Sequence, residues 1–81
     1  MDENIIEVGD LVEVDSSEGV HPYMIVVKID SDSVKGECRR SINEVLFDTS
    51  RGKFDGVWVD KTKVKILKKG FYKNRFIKYD L

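Results

Sequence analysis

The 81-residue chain has one cysteine, Cys38, one histidine, His21, and one proline, Pro22. A lone cysteine closes no internal disulfide, and Cys38 with His21 falls short of the four ligands of a structural zinc site. Stability must therefore come from packing. No apolar run approaches the roughly 18 residues that cross a membrane. There is no Gly-rich phosphate loop, nucleophile elbow, metal-binding histidine pair or Cys-x-x-Cys. The sequence thus predicts no catalytic residue, no metal and no cofactor. No arginine-rich presequence or small-residue cleavage site opens the chain, and its first charges, Asp2 and Glu3, are acidic. Neither a secretory signal nor a transit peptide is expected, and the expected location is the cytoplasm.

Alanine and glutamine are also missing, while Val, Ile and Thr number 20. That balance favours strands over helices. At this length, residues 1–81 are expected to form a single small domain. Leu11-Val12-Glu13-Val14-Asp15 alternates after a Gly9-Asp10 turn and predicts the first strand. Tyr23 to Ile29 is nearly continuous in apolar residues and predicts a central strand. Ile25, Val27 and Ile29 share one of its faces, with Ile25 and Val27 expected to be buried, and Met24, Val26 and Lys28 share the other. After a polar turn at Asp30-Ser31-Asp32-Ser33, Val34 to Arg39 alternates with Val34, Gly36 and Cys38 inward. Val45-Leu46-Phe47 is expected as a short strand and Ser50-Arg51-Gly52-Lys53 as a hairpin turn. Val57-Trp58-Val59, a helical turn at Asp60 to Lys63, and Val64 to Lys68 complete the series. Residues 68–81 are expected as an appendage or an extra strand. Short strands in so small a chain need a sheet that curls on itself to protect its edges. The expectation is all-β: a five- or six-stranded antiparallel barrel with a short helical turn and a basic, aromatic C-terminal extension.

Two stretches carry a family resemblance. Val8-Gly9-Asp10-Leu11-Val12-Glu13-Val14 resembles the opening strand of KOW, Tudor and other barrels of the Src-homology-three type. Val57-Trp58-Val59, the Asp60-to-Lys63 turn and Val64-Lys65-Ile66 resemble the last two strands of that fold and the helical turn between them. KOW-type domains carry basic residues near the first loop, where this chain has acids in Asp15-Ser16-Ser17-Glu18-Gly19. Gly9-Asp10-Leu11-Val12 with His21-Pro22-Tyr23-Met24 also resembles ribonuclease toxins of the MazF type, which share a related barrel, but no counterpart of their catalytic residues is present. His21, beside Pro22, reads as a loop residue, and Cys38, in an alternating strand, as a small core hydrophobe.

The formal net charge of −1 conceals a strong asymmetry. Residues 1–60 hold 14 acids and 6 bases, whereas residues 61–81 hold 1 acid and 8 bases. Two readings follow. In one, the first and last strands lie side by side and their opposite charges satisfy each other. In the other, Lys61, Lys63, Lys65, Lys68, Lys69, Lys73, Arg75 and Lys78 form a stripe that contacts phosphates, with Tyr72, Phe76 or Tyr79 stacking on bases. Tyr23, Phe47, Phe54 and Trp58 are candidates to line a partner pocket, as Tudor-like domains do. The leading expectation is a non-catalytic module that binds nucleic acid through the C-terminal stripe. The alternative is a regulator or inhibitor of the phage or mobile-element kind that binds a host protein through its acidic or aromatic surface, in keeping with a pI of about 5.8.

Overall fold

The computed structural model describes residues 5–15, 21–52 and 56–72. It contains β1 (Leu11–Val14), β2 (Tyr23–Ile25), β3 (Lys28–Ile29), β4 (Ser33–Gly36) and β5 (Cys38–Arg39), then α1 (Ile42–Ser50), β6 (Val57–Asp60), a 3-10 turn (Lys61–Lys63) and β7 (Val64–Lys68). The strands form two antiparallel sheets, in the orders β5-β2-β1-β7 and β3-β4-β6. The fold is β-rich, and among the described residues no closed barrel forms, because β6 and β7 remain edge strands.

The expected central strand is divided, and this corrects its predicted faces. The Val26 amide donates to the Asp10 carbonyl at 3.0 Å, while the next amide, Val27, donates to the Lys35 carbonyl at 2.8 Å. The chain leaves one sheet and enters the other at that peptide, so strict alternation fails. Met24, Ile25 and Val26 are all fully buried, Val27 is half-buried, and Ile29 is 37% exposed. The run Val34 to Arg39 is likewise divided at Glu37 into β4 and β5. Its predicted inward set holds in part: Val34 and Gly36 are buried and Cys38 is half-buried.

Gly36 is required by close packing. A Cβ there would meet the Ile25 carbonyl and lie 2.5 Å from Met24 Cγ. It is paired with Val57, whose neighbour Gly56 passes so near the Gly36 backbone that a side chain has no room.

The second correction is α1, which occupies the place of the expected strand at Val45-Leu46-Phe47. Ser41 caps it, its hydroxyl accepting from the Glu44 amide at 3.2 Å and donating to the Glu44 carboxylate at 3.2 Å, which satisfies one of the free amides at the helix start. Val45 and Thr49, one turn apart, are buried. Arg51 and Gly52 end the helix instead of forming a hairpin: the Gly52 amide donates to the Thr49 carbonyl at 3.0 Å with φ of 82°, a conformation glycine adopts at no steric cost.

The core has two parts. Val12, Val14, Met24, Val26, Val34 and Val59 pack between the sheets, and Leu11, Ile25, Val45 and Tyr72 pack beneath α1. Each such side chain contributes on the order of 1.5 to 3 kcal/mol through burial. Beyond β7 the chain turns at residues 69–72, and the rest of the expected extension lies outside the described residues. No described helix is long and apolar enough to cross a membrane.

Candidate nucleic-acid interface

β1 and β7 are antiparallel neighbours, with Glu13 opposite Lys65 and Val14 opposite Val64. The acidic first strand and the basic last strand therefore do lie side by side. The structure divides the predicted cationic stripe according to what each lysine meets.

Asp60 starts the 3-10 turn by accepting from the Thr62 amide at 2.9 Å and its hydroxyl at 2.8 Å. Those bonds hold its carboxyl below the usual carboxylate range. The turn and the strand after it set Lys63 and Lys65 in solvent and leave Lys61 half-buried, while Val64 and Ile66 pack against the core. Lys61, Lys63 and Lys65 make no ion pair with another described residue. A shallow groove of about 970 Å³ takes apolar surface from Ile5, Ile66 and Leu67 and cationic surface from Lys61, Lys65 and Lys69. A second, of about 420 Å³, adds Lys63 and places Lys65 with Glu13 and Asp15.

Lys69 differs from its neighbours. Its ammonium bonds the buried Asp10 carboxylate at 2.8 Å, pairs with Glu7 at 3.3 Å and donates to the Ile5 carbonyl. The Asp10 hydrogen bond raises its pKa, opposed by desolvation and assisted by Glu7. Its charge is used within the fold. Lys68 is exposed, with its ammonium 5.8 Å from the Phe71 ring centroid.

The aromatic candidates are dispersed. Tyr72, only 2% exposed, lies in the core and presents no ring for stacking. Tyr23 is half-buried against the α1 side of the core. Phe47 is 59% exposed on α1, with the Arg51 guanidinium 5.3 Å from its ring centroid. Trp58 is 50% exposed on β6. These four do not converge on one pocket. Phe54, Lys73, Arg75, Phe76 and Lys78, with Tyr79, lie outside the described residues.

No family model matches this chain, and no curated protein or solved structure matches it. The site therefore rests on geometry. Among the described residues no group of His, Cys, Asp or Glu is placed to hold a metal ion. Burial pushes the Cys38 thiol up, with Glu37 adding to the effect and Arg39 opposing it, so Cys38 lacks the depressed pKa of a nucleophile.

Sequence reasoning missed two sets of residues. Asp10 is the buried acceptor that captures Lys69, and only its place in a Gly-Asp turn hinted at a special role. Lys28 and Lys35 lie opposite each other across the β3-β4 pair, a register readable from the polar turn between them.

Proposed function

We propose that the chain is a non-catalytic interaction module that binds nucleic acid along the cationic edge made by Lys61, Lys63 and Lys65. The observation that carries this reading is the contrast among the lysines: Lys69 is held in ion pairs by Asp10 and Glu7, whereas these three close no ion pair with a described residue, even though Glu13 lies opposite Lys65. Lys68 adds to the same edge, and the sequence continues with Lys73, Arg75 and Lys78. Phosphate contact by such cations releases counterions and yields salt-dependent affinity.

The fold is proposed to be a small barrel of the Src-homology-three type. In support, β1 lies between β2 and β7, the runs Tyr23 to Ile29 and Val34 to Arg39 each pass between the sheets, and a 3-10 turn joins β6 to β7. On this reading α1 occupies the connection between the third and fourth strands.

Titration of labelled single- and double-stranded oligonucleotides at two salt concentrations tests the function. The logarithm of affinity should fall with the logarithm of salt, by about 0.7 to 0.9 per phosphate engaged. One observation favours a protein partner instead: Phe47 on α1 is 59% exposed. A lack of oligonucleotide affinity at low salt, where attraction is strongest, would leave that second reading in place.

A further inference from the structure

We propose that the groove along the free edge of β7 takes unpaired nucleotides, so that the cationic edge prefers a single strand to a duplex. The inference rests on the nucleic-acid reading and adds to it a strand class and the residues that select it. At the end of the β1-β7 pair, the Asp15 amide donates to the Lys63 carbonyl at 2.8 Å. Opposed residues of an antiparallel pair alternate between bonded and unbonded. Ile66, three positions on, therefore turns its amide and carbonyl away from Val12, toward the edge of β7 where no described strand is paired. The register then skips Leu67: Val12 is opposite Ile66 and Leu11 is opposite Lys68. A bulge of this kind re-aims side chains. Regular alternation would turn one of Leu67 and Lys68 inward, yet both are exposed, Leu67 at 42%.

The groove that Leu67 lines combines two chemistries. Leu67 and Ile5, the latter 58% exposed, supply apolar surface, and Lys61 and Lys65 supply ammonium groups that close no ion pair with a described residue. Lys69, also on its wall, is occupied by Asp10 and Glu7. Glu13, opposite Lys65, lines the neighbouring groove and not this one. Lys65 and Leu67 are two strand residues apart, about 7 Å, a reach that carries a nucleotide from phosphate to base. A single strand meets every feature: phosphates reach Lys61 and Lys65, a base face covers Leu67 and Ile5, and the pairing edge of the base is open to the Ile66 backbone. A duplex offers this edge only phosphates, because its base faces are stacked and its pairing edges are used. It would leave two aliphatic side chains in water. An extended peptide can pair with an edge strand, yet one acidic enough to answer Lys61, Lys63 and Lys65 has few apolar side chains left for Leu67 and Ile5. A single strand carries an anion and an apolar face in every unit.

The methyl resonances of Leu67 and Ile5 read the groove directly, because a base stacked on a methyl group shifts it upfield through its ring current. The full chain is titrated at low salt with oligodeoxythymidylate, with a hairpin duplex and with a peptide of alternating glutamate and valine, while anisotropy of the labelled ligand reports total binding. The single strand should bind more tightly than the duplex and shift both sets of methyls, which the duplex leaves in place. Leu67→Ser should lower single-strand affinity by roughly 3- to 10-fold with the salt slope unchanged, because an apolar contact releases no counterions. Its duplex affinity and melting temperature should stay near those of the wild type. Lys65→Ala should flatten the slope by about 0.7. If the single strand binds without moving the methyls, if Leu67→Ser binds it as well as the wild type does, or if the duplex binds as tightly, the groove is refuted and the cationic edge survives. If no oligonucleotide binds at low salt, both fall. Binding of the peptide in their place would assign the edge to strand pairing with an acidic protein.

Discussion

Asp10 and Lys69, 59 positions apart in the chain, meet at 2.8 Å over a carboxylate that is fully buried. The same carboxylate accepts from the Gly70 amide at 2.7 Å and the Glu7 amide at 2.8 Å. One side chain thereby ties the turn before β1 to the exit of β7. Two residues on, the Tyr72 amide donates to the Gly9 carbonyl at 2.8 Å, and its ring enters the core beside Leu11, Ile25 and Val45. The first part of the basic C-terminal segment is consequently structural.

Removal of that acceptor should be costly. Asp10→Ala leaves the Glu7 and Gly70 amides without their acceptor while the Lys69 ammonium turns to solvent, and an unsatisfied buried group costs about 1 to 3 kcal/mol. For a domain of this size that is a sizeable part of the total stability. Urea unfolding checks it, and a loss below about 1 kcal/mol would mean that the network is dispensable.

The pH dependence of the pair has a definite sign. The Asp10 hydrogen bond raises Lys69 above its ordinary 10.5, so the folded state holds that proton more tightly than the unfolded state. The associated stability is complete below pH 10.5 and drains as pH rises through the higher folded value. The gap in melting temperature between the wild type and Lys69→Gln should be constant up to that pH and narrow above it. A gap that widens instead would overturn the assignment.

Local pattern made β1, β6, the 3-10 turn and β7 legible, because each combines alternation with turn chemistry inside a few residues. It misled at Val45-Leu46-Phe47, a three-residue apolar run that fits a strand or a helix. The deciding signal was Ser41 with Glu44 three positions later. At Met24 to Val27 the pattern was sound but the geometry was not local: a continuous apolar run is compatible with one buried strand and equally with a bend buried on both sides. The basic stripe was visible as composition. That Lys69 is neutralised while Lys65 stays in solvent depends on Asp10, a contact between chain ends that no window of sequence contains.

The bend makes a prediction about neighbours. Val26 is fully buried and Val27 half-buried, so Val26→Ala should cost about 2 kcal/mol through lost transfer energy and a cavity, and Val27→Ala about half as much. Equal losses in paired denaturation curves would place both side chains equally deep.

Gly36 and Gly52 should respond differently to alanine. At Gly36 the new Cβ meets the Ile25 carbonyl and Met24 Cγ, so backbone must move and overpacking should cost about 1 to 3 kcal/mol. At Gly52 nothing lies within 4 Å, and only the positive φ of 82° is penalised, by about 1 kcal/mol. Hydrogen exchange should separate them: Gly36→Ala should loosen β2 and β4, and Gly52→Ala only the end of α1.

The division of the lysines separates affinity from stability. Lys61→Glu, Lys63→Glu and Lys65→Glu together add acids to an edge that already carries Glu13 and Asp15, yet they break no ion pair with a described residue. The triple variant should lose only a little melting temperature, through the like charges it sets opposite Glu13 and near Asp60. Its oligonucleotide affinity should collapse, and its salt slope should fall by about 0.7 for each phosphate of a single strand that it no longer engages. Lys69→Ala should do the reverse, lowering the melting temperature by removing the partner of buried Asp10 while leaving the slope unchanged, because Lys69 releases no counterion it did not already exchange for Asp10 on folding. Circular dichroism melts and fluorescence anisotropy on the same two proteins make the comparison. If Lys69→Ala flattens the slope as much as the triple variant does, Lys69 leaves Asp10 to meet phosphate, and the basic segment is a binding element that folding only borrows.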